Sequence, residues 1–363
     1  MLLPALGAQT SLVVLSGLYV VAGAVLAASV YGARPAMRFA VAGGVLFAAA
    51  AVTVPDIYAS VVARRYARER MVFRAEGVQT TAAVHLQPTG RKVLYLDGLH
   101  QANDSSDMVR IHAEIGQLPM AIHAAPKTAL VVGVGGGVTA GAVAAHDGTA
   151  LEVVELAQSV LSAVPHFAHV NGDLLNRPNV RIRVDDARNF LRFTPGRYDV
   201  ITADLIQPIH AGAGNLYSVE YFALARAALA DDGVMMQWIG HREDQHYKLI
   251  MRTFLQVFPH TTLWAGGTLM VGRVQPLRLD RAAFEPRLAS PTVRAAFATV
   301  GLDSFDALLG RFTAGPDEMR RFAGDGQVLT DDRPLLEFHR SLTGSGAPVD
   351  VSSLRGDVHR YLR

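Results

Sequence analysis

The sequence contains no cysteine among its 363 residues. Disulfide bonds, thiolate nucleophiles and zinc–thiolate sites are therefore excluded. It also carries little net charge, because 34 Lys and Arg oppose 32 Asp and Glu, for a formal charge of +2. Bulk electrostatics therefore give no indication of nucleic-acid binding. There is no internal repeat and no low-complexity run, and the length suffices for two domains.

Charge is absent altogether from residues 1–33, and residues 12–31 are almost entirely apolar. Crossing a bilayer as a helix takes roughly 20 such residues. A second apolar segment, 39–54, is shorter, and the Asp56 that follows it would be costly at mid-membrane but less so near the end of a span. A cleaved signal peptide would need a charged n-region, which the first residues lack. The pattern favours a transmembrane hairpin over a buried core hairpin, which would need a much larger soluble partner.

Five arginines and one glutamate follow this hairpin, in the stretch RRYARERMVFR at 64–74. The connection between the two apolar segments carries only Arg34 and Arg38. The positive-inside rule therefore predicts that both termini are cytoplasmic. The arginines at 64–74 are interpreted as contacts to anionic lipid, worth about 1 kcal/mol each.

The soluble part begins with short predicted strands, TTAAVHL and VLYLDG, and a predicted helix over 103–123. From residue 127 onward, near-continuous aliphatic strands alternate with helical segments, which is typical of a mostly parallel sheet covered on both faces. The predicted fold class is α/β: a Rossmann-like, mostly parallel sheet with a small N-terminal β-domain, preceded by a two-helix transmembrane hairpin. The predicted domains are the hairpin at 1–63, the juxtamembrane segment and β-domain at 64–118, the Rossmann-like domain at 119–273 and a helical extension at 274–363.

Four glycines follow the first strand of the alternating region, in LVVGVGGGVTAG: Gly133, Gly135, Gly136 and Gly137. Glycine after such a strand allows positive φ and a close approach of ligand to backbone. The spacing supplies the first two glycines of the dinucleotide fingerprint, but Thr139 or Ala140 stands near the third position. No Walker lysine follows, which disfavours a triphosphate.

Acidic residues end the next three predicted strands: Glu155 in VVEL, Asp185 and Asp186 in VDDARNF, and Asp204 in ADL. The carboxyl ends of parallel strands share one edge of the sheet, where an acid can accept hydrogen bonds from ribose hydroxyls. Any one of these acids alone is more often a helix cap. Together behind a glycine loop, they favour an adenosine-type ligand.

These motifs resemble those of the spermidine synthase (polyamine aminopropyltransferase) family, in its membrane-fused bacterial branch. The resemblance runs over about residues 76–240 and is carried by LYLDGLHQ, VVGVGGGV, VVEL, VDDARNF, ADLIQP, NLYSVEYF and MMQW, in the family's order. It implies S-adenosyl chemistry without metal, in which a nucleophile attacks the carbon next to sulfur and 5'-methylthioadenosine leaves. It also implies a multi-pass protein of the inner membrane with a cytoplasmic catalytic domain.

The resemblance implies roles for individual residues. Glu155 would hold the ribose, Gln101 would reach the ribose or the chain, and Asp185, Asp186 and Ala187 would flank adenine. Asp204 would be the catalytic-loop acid and Tyr217 would line the chain pocket. The implied catalytic set is Asp204, Gln207, Tyr217 and His112, and the implied binding set is Gln101, Gly133, Gly135, Gly136, Gly137, Glu155, Asp185, Asp186 and Ala187.

Three departures from the family pattern concern charge. Gly136 stands where the family's G-G-G-D-G loop has its Asp, Gln207 replaces the second acid of D-x-x-D-P, and His112 lies in the sequence Ile-His-Ala where the family has Tyr-His-Glu. The residues replaced normally hold a polyamine cation or the free amine of decarboxylated S-adenosylmethionine. Two carboxylates about 4 Å apart repel by roughly 4 kcal/mol at an effective dielectric near 20. A glycine at 136 would therefore admit S-adenosylmethionine itself.

Our leading hypothesis from the sequence is a membrane-anchored enzyme that cleaves S-adenosylmethionine by intramolecular attack of its carboxylate, giving methylthioadenosine and homoserine lactone. The alternatives are aminopropyl transfer from the decarboxylated form, a non-catalytic nucleoside-binding module and, less favoured by LDGLHQ and ADLIQP, a methyltransferase. The expected partners are the small-molecule substrate and the lipid bilayer, with no nucleic acid and no metal; a homo-oligomer stays open. A partly buried structural histidine is the alternative interpretation for His112, and Asp331 in DDRPL is interpreted as part of a structural turn.

Overall fold

The computed structural model describes residues 2–203, 212–240, 243–337 and 346–363, with side chains from residue 6 onward. Contacts divide the chain into two units, 1–100 and 101–363. The first unit begins with three helices: α1 (Leu2–Tyr31), α2 (Ala33–Thr53) and α3 (Ile57–Arg65).

The first two helices are long and apolar enough to cross a membrane, and the second candidate span continues through α3. They pack closely where Gly17 faces Phe47, because a Cβ at Gly17 would lie 3.2 Å from the Phe47 ring. Small residues at such a crossing let two helices approach each other. Large apolar side chains are exposed along both helices, which suits a lipid environment; they include Leu12, Leu18, Val25, Leu26, Phe39, Val45 and Leu46.

Asp56 lies between α2 and α3, where it caps the shorter helix. Its carboxylate accepts a hydrogen bond from the Ala59 amide at 2.7 Å and pairs with Arg74 at 2.7 Å. Arg74 pairs with Glu76 as well and lies over the Tyr58 ring. For Arg74 the interpretation as a lipid contact is wrong, because its side chain is only 18% exposed and is held by two carboxylates.

A four-stranded sheet follows, in the order β1 (Arg70–Glu76), β2 (Thr81–Leu86), β3 (Lys92–Leu96) and β4 (Leu99–Asn103). The first three strands pair antiparallel. The small β-domain predicted from alternation is confirmed. Strand β1 was not predicted, because its arginines and glutamate read as a membrane-surface segment.

The second unit is built on an eight-stranded sheet whose first five strands in sequence are parallel, as predicted. These are β5 (Thr128–Val132), β6 (Ala150–Glu155), β7 (Val180–Val184), β8 (Tyr198–Ala203) and β9 (Leu229–Trp238). Three short strands extend the sheet in antiparallel pairings: β10 (Thr262–Trp264), β11 (Leu269–Gly272) and β12 (Phe312–Ala314). The last of these comes from the region predicted to be only helical.

Helices cover the sheet of the second unit. They are needed because strands that are apolar on both faces must be shielded from water. They are α4 (Ser106–Ile122), α5 (Val138–Ala144), α6 (Gln158–Ala163), α7 (Ala168–Asn171), α8 (Ala187–Arg192), α9 (Val219–Ala228), α10 (Asp244–Val257), α11 (Arg281–Phe284), α12 (Pro291–Ala298), α13 (Phe305–Leu309) and α14 (Pro316–Ala323). The Rossmann-like α/β fold class is confirmed.

The strand order is β12-β10-β11-β9-β8-β5-β6-β7. The chain therefore runs outward from β5 through β6 to β7, and then returns to the other side of β5 to form β8. The order reverses between β5 and β8. Ligands of open parallel sheets bind at this point, outside the carboxyl ends of the strands.

Candidate active site

The glycine loop lies at this reversal point, directly after β5. Three of its glycines adopt positive φ: 82° at Gly133, 48° at Gly135 and 84° at Gly137, which also caps the N-terminus of α5. Residues other than glycine rarely adopt these φ values. The loop therefore needs glycine at these three positions for its backbone shape alone, and Gly136 is the one member of the run without this requirement.

The close packing that the third fingerprint glycine would provide comes from two other residues. A Cβ at Gly141 in α5 would lie 2.1 Å from the Asn171 carbonyl oxygen, and one at Gly116 in α4 would lie 2.6 Å from the Thr139 carbonyl oxygen. Both contacts need glycine. Gly141 therefore takes the part of the third fingerprint glycine, one residue after Ala140.

Glu155 ends β6 beside the glycine loop and is almost fully buried. Its two carboxylate oxygens accept hydrogen bonds from the backbone amides of Val134 and Ala157, each at 2.9 Å. Burial raises the pKa of the Glu155 carboxyl, and the backbone donors oppose that rise. The Glu155 side chain therefore fixes the glycine loop. Each of its carboxylate oxygens has one donor and can still accept a second hydrogen bond.

The two aspartates after β7 differ in their surroundings. Asp186 caps α8, accepting from the amides of Arg188 at 2.9 Å and Asn189 at 3.0 Å. Asp185 is exposed and accepts from the Asp186 amide at 2.8 Å. The helix-cap interpretation therefore describes Asp186, while Asp185 presents a carboxylate at the surface beside Ala187.

A cavity opens between the glycine loop and the start of α4. It is lined by Gln101, His112, Gly136 and Phe167, together with Ala102, Asn103, Gly135 and Val138. His112 is half-buried, and its backbone carbonyl accepts from the Thr139 hydroxyl at 2.8 Å. The structure thus brings Gln101 and His112 to the position where an acid is missing.

A Cβ atom can be placed at Gly136 without a clash. A Cβ there would lie 3.7 Å from the Phe167 ring and 3.8 Å from the Ala102 methyl, which are ordinary contacts. The packing around the Cβ position therefore does not require glycine at 136.

The predicted catalytic loop lies outside the described residues, and both Asp204 and Gln207 belong to it. Tyr217 is described and fully buried, one residue before the cap of α9. Its side chain contributes to the core cluster beneath the sheet's carboxyl edge.

One buried amide at this edge was not singled out by the sequence analysis. Gln237 in β9 is fully buried and pairs in register with Ala203, the last residue of β8. Its amide donates to the Trp238 carbonyl at 3.3 Å, and within the described part of the chain no donor reaches its Oε1. A glutamine within the apolar strand GVMMQWI is the signal that could have identified it, since a buried amide requires partners.

His123, Asp199 and Asp232 form a group at the opposite edge of the sheet whose ligand atoms lie within 4.8 Å of one another. The Ala125 amide donates to His123 Nδ1 at 3.3 Å, so the proton of the neutral ring is on Nε2, 3.6 Å from Asp232. Asp199 already accepts from the Lys127 amide at 2.7 Å. A metal would need Nε2 without its proton, and the arrangement therefore fits a histidine–aspartate pair better.

Residues 108–261 match the family model described as "Spermine/spermidine synthase domain". This part of the chain is therefore a spermine/spermidine synthase domain. Among its curated relatives, a polyamine aminopropyltransferase of Aeropyrum pernix is 28% identical over 240 residues, covering 61% of this chain and 76% of the relative. One of Thermotoga petrophila is 25% identical and covers 54% and 67%, and a spermidine synthase of Dictyostelium discoideum is 31% identical and covers 39% and 50%.

Solved structures of spermidine synthases share this fold. A spermidine synthase in complex with the transition-state analogue AdoDATO has a TM-score of 0.58 at 20% identity, over 70% of this chain and 88% of that one. The Thermotoga maritima spermidine synthase has a TM-score of 0.55 at 20% identity, over 70% and 87%. The family match includes the glycine loop, Glu155 and Gln237, and ends well before Asp331.

Proposed function

We propose that this protein is an aminopropyltransferase that moves the aminopropyl group of decarboxylated S-adenosylmethionine to an amine. Its relatives carry this activity in their names, and they favour it over the lactone-forming reaction that the sequence suggested first. The observation that carries the proposal is Glu155, a buried carboxylate that fixes the glycine loop through Val134 at the strand-order reversal. This is where a ribose is held in folds of this kind.

The remaining residues would act on the rest of the substrate. Asp185 and Ala187 would flank the adenine, and Gln101 would reach toward the ribose or the chain from the cavity at Gly136. Tyr217 would line the chain pocket, and Asp204 and Gln207, which lie outside the described residues, would act on the reacting groups. We expect no metal and no further cofactor.

The reaction needs positioning more than it needs acid–base chemistry. The amine lone pair forms a bond to the methylene carbon next to sulfur, and the carbon–sulfur electron pair passes to sulfur, leaving neutral methylthioadenosine. The new ammonium then loses a proton, for which Asp204 is the candidate acceptor. Holding amine and carbon in line supplies effective molarities of about 10⁵ M or more.

The test uses the full chain purified in detergent and incubated with decarboxylated S-adenosylmethionine, with and without putrescine. We expect methylthioadenosine only when both are present. Glu155→Gln should lower turnover at least tenfold, since an amide has one acceptor oxygen for two backbone donors. Glu152→Gln, on the same strand but paired with Tyr198 and Arg197, is the matched control. No product under any condition would refute the proposal.

A second reaction is favoured by one observation, the open space at Gly136. Without an acid there, the site could admit the α-carboxylate of S-adenosylmethionine. That carboxylate oxygen would attack its own γ-carbon, the carbon–sulfur pair would pass to sulfur, and homoserine lactone and methylthioadenosine would leave. Incubation with S-adenosylmethionine alone decides between the reactions, because only this one yields lactone without an added amine.

We further propose that the two apolar helices anchor the enzyme in a bacterial inner membrane with the catalytic unit in the cytoplasm. Support comes from exposed arginines at the end of the second candidate span, Arg64, Arg65, Arg68 and Arg70. Such residues are retained on the cytoplasmic side.

A further inference from the structure

Asp331 lies in the C-terminal segment, outside the part of the chain that matches the family model. Its carboxylate makes a two-point contact with Arg188 of α8, with Nη1 to Oδ1 at 2.6 Å and Nη2 to Oδ2 closer still. The Ser218 hydroxyl donates to the same Oδ1 at 2.7 Å. Arg188 also donates to the Asn215 carbonyl at 2.9 Å. The Asp331 carboxylate therefore joins α8 to the residue that precedes α9, and both are distant from Asp331 in sequence.

Both of these elements belong to the candidate active site. Arg188 follows Asp185, Asp186 and Ala187, which are expected at the adenine. Ser218 follows Tyr217, which is expected in the chain pocket, and its hydroxyl caps α9 by accepting from the Tyr221 amide at 3.2 Å. Asp331 thus connects the adenosine side of the site to the chain side.

The C-terminal segment holds the same turn at two more points. Glu337 accepts from the Gly214 amide at 2.9 Å, and a Cβ at Gly214 would lie 2.7 Å from that carboxylate oxygen. The Leu329 carbonyl accepts from the Val219 amide at 2.9 Å. The turn over 214–219 is therefore attached to the C-terminal segment along its whole length.

The Asp331 contact is stronger than the contacts of Glu337 and Leu329, because it pairs two opposite charges. A guanidinium and a carboxylate that meet through two parallel hydrogen bonds fix orientation as well as distance. Arg188 is mostly buried, with a side chain 14% exposed, while Asp331 is 38% exposed. The pair is thus screened from water mainly on the arginine side.

We propose that Asp331 is a positioning residue of the active site, which sets the adenosine-side helix α8 and the Tyr217 turn at their working separation. This inference rests on the proposed function, since it takes that edge of the sheet as the nucleoside site. The C-terminal segment is then a part of the site and not an appendage to it.

The test measures calorimetric binding of 5'-methylthioadenosine to the full chain in detergent, together with the thermal midpoint. For Asp331→Asn we expect about tenfold weaker binding at a temperature well below the midpoint, since the charge-assisted pair is lost. Asp331→Glu should recover part of the affinity. Arg188→Gln should weaken binding by a similar factor, and the double variant should lose less than the two single losses combined, because both changes break the shared contact.

Asp306→Asn is the matched control, since it breaks another arginine–aspartate pair of the C-terminal region, the Arg281 contact at 2.6 Å. It should leave binding unchanged. If Asp331→Asn does not fold, Arg188→Lys decides instead: it keeps the charge but loses the two-point contact, and binding should fall about threefold.

The outcomes separate the two proposals. Wild-type protein that does not bind methylthioadenosine overturns the proposed function. Wild-type protein that binds, with Asp331→Asn or Arg188→Lys binding equally well, overturns the positioning role even if the thermal midpoint falls.

Discussion

The Asn171 side-chain amide donates a hydrogen bond to the Gly136 carbonyl oxygen at 3.0 Å. The same nitrogen donates to the Val164 carbonyl at 3.2 Å, and a Cβ on Gly137 would approach it to 2.9 Å. Asn171 is buried and packs behind the glycine loop, so the loop is held by Glu155 at its start and by Asn171 at its centre. Neither support comes from the loop's own sequence.

Asn171→Asp should loosen this loop, because a carboxylate oxygen would face two carbonyl oxygens in place of an amide donor. Leaving such buried groups unpaired costs about 1–3 kcal/mol. We expect a lower thermal midpoint and at least tenfold weaker binding of methylthioadenosine, measured by calorimetry.

Asn179→Asp provides the control for this change. Its amide also bridges two carbonyls, those of Ala144 and Thr149, each at 3.1 Å, but at the opposite end of α5 from the loop. It should lower stability and leave affinity unchanged. Equal losses of affinity in both variants would show that the effect is global.

Restoring an acid at Gly136 should change which nucleoside the site prefers. A Cβ fits at this position in ordinary contact with its neighbours. A carboxylate about 4 Å from the substrate's own would repel it by roughly 4 kcal/mol. For Gly136→Asp we expect the ratio of kcat/KM for decarboxylated over intact S-adenosylmethionine to rise at least tenfold. Gly136→Asn matches it in size without charge and should leave the ratio near that of the wild type. If Gly136→Asp leaves the kcat/KM ratio unchanged, the substrate's chain does not lie beside position 136.

The parallel strands could be predicted from the sequence because most are rich in aliphatic residues and are followed closely by glycine or an acid. Strand β12 could not, since it is three residues long and is defined by its pairing with β10. The arginines of β1 concealed a strand for a different reason: Arg74 finds its partner Asp56 18 positions away. Long-range ion pairs of this kind leave no local pattern.

The same limit applies to the site. The glycines and Glu155 lie in one strand–helix–strand unit, β5-α5-β6, so their proximity follows from the topology of a parallel sheet. Asp331 read as a turn residue because Arg188 is 143 positions away in sequence. A contact at that separation becomes visible only when the C-terminal segment is folded against α8.

The buried His146 should contribute to a loss of stability in mild acid. His146 donates to Gln117 at 2.8 Å; the orientation of that amide is set by its own donation to the Ala142 carbonyl. Burial, with Arg287 nearby, lowers the pKa of His146 from 6.5 to about 3. The unfolded chain therefore takes up a proton below pH 6.5 that the folded chain refuses, which costs about 2 kcal/mol between pH 7 and pH 5.

The measurement is the free energy of unfolding in detergent at these two pH values. His146→Gln should reduce the decrease by about that amount. His169→Gln, at a half-exposed histidine paired with Asp104, should retain it. A wild-type decrease that His146→Gln leaves intact would assign the acid sensitivity to other groups.

The missing cysteines make the membrane topology directly measurable, since any introduced thiol is the only one in the chain. Ala33 begins α2 between the two candidate spans, and Thr89 lies in the exposed turn between β2 and β3; both are exposed. If both termini are cytoplasmic, a membrane-impermeant maleimide should label Ala33→Cys in intact spheroplasts, and should label Thr89→Cys only after lysis. Labelling of Thr89→Cys without lysis would place the catalytic unit outside the cytoplasm, where the arginines at 64–70 do not favour it. Labelling of neither variant before lysis, with the protein released by a carbonate wash, would mean that the apolar helices do not span a membrane.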